Sequence, residues 1–150
     1  MKLAELLIER AECQKKIIDL KIQILANLKI QEGDTPALSI DDLLSEFSNV
    51  NNKLEKLVVA INTANSKFKL SNGKTLTEGI AIRESLKAKI DFYKDIIKTS
   101  NTKDFRLTRT EIKMVLTLDI NHILKEIDKL SKQFRLLDNE IQQVNWTSDI

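Results

Sequence analysis

Two stretches of this chain place an apolar residue at every third or fourth position without a break. The first is Leu43, Phe47, Val50, Leu54, Leu57, Ile61 and Ala64; the second is Ile123, Ile127, Leu130, Phe134, Leu137, Ile141 and Val144. A 3–4 spacing gathers all seven residues on one face of an α-helix, whereas a strand would scatter them over both faces. Each stripe covers roughly six turns at 3.6 residues per turn, so the chain must contain two long helices that need something to pack against. Breakers are scarce enough to let them run: 150 residues hold 3 Gly and 1 Pro. With only 5% aromatic residues the core is built mainly from Leu and Ile, and a chain of this length can bury one without disulfide or metal staples.

The remaining sequence extends the pattern. A first helix is expected over about 2–29, with Leu3, Leu6, Cys13, Ile17, Leu20 and Ile24 on its stripe. Leu7, Ile18, Leu25 and Leu28 lie one position over and widen it, which suits several neighbours better than one. "QEGDTP" at 31–36 stops this helix. The second, about 39–65, opens at Ser39, an N-cap with Asp42 three residues on as in a capping box. A third spans about 77–98 with Leu86, Ile90, Tyr93 and Ile97 inward, and a fourth about 120–144, capped by Asp119.

Between the second and fourth helices the pattern breaks. Asn62 and Asn65 fall in the last turn of the second helix, where Asn tolerates a left-handed cap. Asn72-Gly73 is a short hairpin signal for a type I′ turn, with arms at 68–70 and 74–77. Thr75-x-x-Glu78 competes with it as a capping box that would start the third helix early. In residues 105–118, Ile112, Met114, Leu116 and Leu118 alternate as in a strand, although Thr108-x-x-Glu111 could instead cap a helix; the alternation favours strand. The expected fold is therefore mainly α: four long antiparallel helices of bundle or coiled-coil type in a single domain, 1–150, with a short β-hairpin or small sheet between helices two and four.

The chemical inventory argues against an enzyme. His122 is the only histidine; Asp119 and Glu126 share its face, but a di-iron bundle needs a second Glu-x-x-His pair, so His122 reads as solvated or cap-associated. No Gly-rich phosphate loop exists, and no catalytic site, metal or cofactor is expected. Cys13, the only cysteine, lies by an apolar stripe and reads as a small core residue. Trp146 reads as an anchor pinning the chain end to the body. Residues 66–113 carry 12 Lys or Arg against 6 Asp or Glu, while the whole chain has net charge +2. This basic middle, with Arg83, Lys87, Lys103, Arg106, Arg109 and Lys113, lacks the interleaved aromatics of a nucleic-acid binder, so nucleic acid is the lesser alternative. The opening "MKLAELLIERAE" turns acidic too early for a signal peptide, and the longest apolar run, Leu57 to Ile61, is far short of a membrane span. A cytoplasmic location is expected.

Several phrases recur in order along the whole chain: "KLAELLIERAE" at 2–12, "LKIQEGD" at 28–34, "INTANS" at 61–66, "NGKTLTEGIAIRE" at 72–84, "RTEIK" at 109–113, "TLDI" at 117–120 and "LLDNEIQQVNWT" at 136–147. In these the sequence resembles the septicolysin-like family of small bacterial proteins. The resemblance implies a cytolysin-type, membrane-active protein as an alternative function, which here would require an amphipathic helix to insert after rearrangement. It transfers no catalytic or binding residue. The polar set Asn62, Asn65, Arg83, Arg109, Glu111, Lys113 and Asn145, extended by Arg106, is either a surface site at one end of the helices or the hydrogen-bond lattice that holds the chain reversals. The main expectation is a self-associating helical interaction or scaffold module, a homo-oligomer without catalysis.

Overall fold

The computed structural model describes residues 1–102 and 112–150. It is mainly helical, with α1 (Leu3–Ala26), α2 (Ile40–Lys67), α3 (Leu76–Ser100) and α4 (Ile120–Thr147), close to the four spans expected. The chain divides into two compact units, Met1–Leu76 with Gln142–Ile150, and Thr77–Ile141.

In the first unit α1 and α2 pack side by side. Glu9 pairs with Lys53 at 3.0 Å and Lys16 with Glu46 at 2.9 Å, so the two helices run antiparallel. Leu6, Cys13 and Leu20, seven residues apart on α1, are buried along with Leu43, Leu57 and Ile61 of α2. Cys13 is thus a core residue, as its position on the stripe implies. α1 ends earlier than expected because Asn27 closes it: its backbone N–H donates to the Ile24 carbonyl (3.1 Å) and its side-chain amide to the Gln23 carbonyl (2.8 Å). α2 starts at the predicted cap, where Ser39 Oγ accepts from the Asp42 N–H at 3.3 Å.

The expected β-hairpin is not present, and the described residues contain no strand. α2 continues to Lys67 and α3 begins at Leu76, which leaves room for one isolated antiparallel bridge, Lys69 to Thr75, and no ladder. Nor is the turn of type I′, since no residue other than Gly has positive φ among the described residues, and Asn72 is included in that. Within this turn only Gly73 enters the left-handed region (φ 82°); its N–H donates to the Leu70 carbonyl (2.9 Å) and the Leu70 N–H to the Lys74 carbonyl (2.8 Å). Asn72 Oδ1 accepts from the Lys74 N–H (3.0 Å) instead of taking a left-handed backbone. Asn62 and Asn65 are not left-handed caps either. The helix passes straight into an extended Phe68 (φ −76°, ψ 146°), the geometry the bridge at Lys69 requires.

The ends of the described chain meet in this unit. Lys2 and Asp149 form an antiparallel bridge, the Leu3 N–H donates to the Ser148 carbonyl (3.1 Å), and the Ile150 N–H donates to the Met1 carbonyl (3.0 Å). Lys2 Nζ adds a 2.6 Å ion pair with Asp149. Trp146 is 55% exposed, so the expectation that it anchors the chain end is corrected: main-chain pairing does so.

In the second unit Leu86 and Ile90 of α3 and Leu130 of α4 form a buried cluster, with Ile82, Tyr93, Phe134 and Leu137 against it. Arg83 Nη1 pairs with Asp138 at 2.7 Å and, further along α3, Ile90 and Lys94 line one groove with Ser131 and Phe134, so α4 runs antiparallel to α3. The strand expected over 105–118 is not present in its described part. Residues 112–116 have no regular structure and every side chain from Ile112 to Leu118 is exposed, so alternation here had no buried face to serve. Residues 105–111 lie outside the described residues.

Candidate functional site

The expected polar set is divided between the two units. Asn62, Asn65 and Asn145 belong to the first: Asn62 is exposed, Asn65 half-buried and Asn145 buried. Arg83 and Lys113 belong to the second. Arg83 is engaged, bound to Asp138 and, through Nη2, to Glu84 at 3.1 Å. Lys113 is exposed and outside any helix. Arg106, Arg109 and Glu111 lie outside the described residues. Asn145 is the one buried polar residue among the described residues, at 6% exposure.

Reactive groups are sparse. His122 is exposed in the first turn of α4, and Asp119 serves as the cap there, its Oδ1 accepting the Asn121 N–H at 2.9 Å. Among the described residues no three His, Cys, Asp or Glu side chains are placed to hold a metal ion. No described helix is long and apolar enough to cross a membrane.

The feature that stands out is instead apolar. The α1–α2 pair has two unlike flanks. One is bridged by Lys16–Glu46 and Glu9–Lys53, whose members lie seven residues apart on each helix and so share a face. On the other, Ile17, Lys21, Ile24 and Leu25 of α1 and Leu44 and Phe47 of α2 line a shallow groove of about 210 Å³. Ile18, Ile22 and Leu25, at 4–3 spacing on one stripe, are 59%, 62% and 58% exposed. The sequence signalled part of this flank, because Leu25 widened the first stripe beyond what one neighbour covers. Leu44 was missed, because it sits beside the stripe residue Leu43 and reads as noise until α1 and α2 are paired; Ile22, two residues from Leu20, lies on the side of α1 turned away from α2. In the second unit Phe92, Ile96, Leu116 and Leu118 line a further groove of about 460 Å³.

Comparison with known proteins adds a family. A model described as "Family of unknown function (DUF6847)" matches residues 10–150. Among curated proteins none matches. A solved structure, described as the crystal structure of a functionally unknown conserved protein from Corynebacterium diphtheriae, matches with a TM-score of 0.91 at 36% identity, over 99% of this chain and 97% of that one. These findings correct the septicolysin-like resemblance, since neither match points to such proteins. The cytolysin alternative falls with it.

Proposed function

The chain belongs to the family of unknown function DUF6847, and from that premise we propose that it is a self-associating helical interaction module, a scaffold without catalysis of its own. The observation that carries this reading is the apolar groove between α1 and α2, lined by Ile17, Ile24, Leu25, Leu44 and Phe47, of which Leu25, Leu44 and Phe47 are 58%, 48% and 38% exposed. Scattered exposed Leu or Ile residues are ordinary, but a contiguous apolar patch with a polar rim marks a surface that another molecule covers. The reading without catalysis rests on the inventory: the one histidine is exposed, the one cysteine is buried, and Asp119 and Asp138 are taken up by a cap and an ion pair.

Light scattering behind a size-exclusion column tests the reading. A discrete species of two or more 17.2 kDa chains supports it. A single 17.2 kDa species at every loading, up to the highest concentration the protein tolerates, counts against it.

A further inference from the structure

We infer that Asn72 is a site of spontaneous modification, an asparagine that deamidates through a cyclic imide with Gly73, and that the turn around it blocks the reaction while it stays closed. Of the asparagines in the chain, Asn72 alone is followed by Gly. The reaction needs the backbone nitrogen of the following residue to attack the side-chain carbonyl carbon. A side chain on that residue stands in the way, and Gly has none. Asn72 and Gly73 are both exposed, and nothing lies within 4 Å of a Cβ built on Gly73, so water has access to the pair.

Water is the only co-reactant required. The Gly73 nitrogen bonds to Asn72 Cγ, the Cγ–Nδ2 bond breaks, and ammonia leaves carrying the former Gly73 amide proton. Water then opens the imide at one of its two carbonyls. Opening at the side-chain carbonyl leaves an ordinary Asp. Opening at the main-chain carbonyl routes the backbone through the side chain as isoaspartate, one methylene longer, which the close spacing of this turn does not accommodate.

The closed turn opposes the first step at both reacting atoms. The Gly73 N–H donates to the Leu70 carbonyl at 2.9 Å and φ is negative at Ser71 and Asn72, so Leu70–Gly73 is a type I turn. Such a turn holds its third residue, here Asn72, near a φ of about −90° and a ψ of about 0°. Ring closure needs the Gly73 nitrogen eclipsed with the Asn72 Cβ, whereas a ψ of about 0° places it roughly 120° away. The bond to Leu70 also keeps the proton on the attacking nitrogen. On the side chain, Asn72 Oδ1 is tied to the Lys74 N–H at 3.0 Å. The Lys69–Thr75 bridge closes the turn from outside, and Leu70, buried at 4% exposure, pins it to the first unit. Cyclisation therefore waits on opening of the turn.

Mass-spectrometric peptide mapping that separates Asp from isoaspartate tests this, on the full chain held in warm, mildly alkaline buffer, folded and in urea. Far-UV circular dichroism confirms the two states. In urea Asn72 should convert before any other asparagine. In the folded chain the same conversion should be about tenfold or more slower. Leu70→Ala, which leaves the Asn-Gly pair intact, should speed the folded-state conversion several-fold and leave the rate in urea unchanged. If that variant loses helix content, the wild-type comparison decides alone. Equal wild-type rates in the two states overturn the protection by the turn, and an Asn72 that stays unconverted in urea overturns the site. A Leu70→Ala chain that keeps its helices and the slow wild-type rate overturns Leu70 as the pin.

Discussion

Gly73 shows how much a single position can require. Its φ of 82° lies where side chains other than Gly are strained, and a Cβ built there meets nothing within 4 Å. The cost of Gly73→Ala is therefore purely conformational, about 1–2 kcal/mol of stability, readable as a lower urea midpoint with an unchanged slope. Asp149 offers a contrast, since its contribution depends on pH. A hydrogen bond from Lys2 holds its carboxyl below the ordinary 3.8, against a smaller opposing effect of burial. A group whose folded pKa is depressed stabilises fully above its unfolded value and loses that contribution as pH falls through the folded one. Pairing of the chain ends should hold near neutral pH and loosen only below about pH 4, seen as faster amide exchange at Leu3 and Ile150 than global unfolding explains. Lys53 is the mirror case: its hydrogen bond to Glu9 raises its pKa above 10.5, so that pair persists until strongly alkaline pH.

At the scale of elements, the seven-residue stripes separate buried from exposed positions on a single helix. Leu130 is buried in the α3–α4 cluster, so Leu130→Ala should cost about 2–5 kcal/mol. Leu136, six residues on and exposed, should tolerate the same change within about 0.5 kcal/mol. A thermal melt of both variants beside the wild type checks the pair. The same periodicity explains what the sequence could disclose. All four helices were legible because long 3–4 spacing has no competing interpretation, and the caps at Ser39 and Asp119 were legible because their side chains act locally. The Asn72-Gly73 hairpin was misread because turn propensity says nothing about how far the flanking helices run. With α2 reaching Lys67 and α3 starting at Leu76, no length remained for strands. The alternation at Ile112 to Leu118 misled for a different reason: period two implies a strand only where one face is buried. Of the candidate site, the polar set was legible as residues but not as a cluster, since its described members fall in different units. The apolar flank emerged only when two helices, each ambiguous alone, were set side by side.

At the scale of the whole molecule, the pairing of residues 1–3 with residues 148–150 has a topological consequence. Met1 and Ile150 are hydrogen-bonded neighbours, so residues 1 and 150 lie side by side within the first unit. Where the chain is cut is then secondary to the packing it supports. A short flexible linker joining residue 150 to residue 1 would span the gap between them without stretching anything, and new ends could open at Gly33, in the exposed connection between α1 and α2. Such a circular permutant should keep the helix content and cooperative melting of the parent. It should also be indifferent to loss of the Lys2–Asp149 pair, because a covalent bond would now do what that pair does.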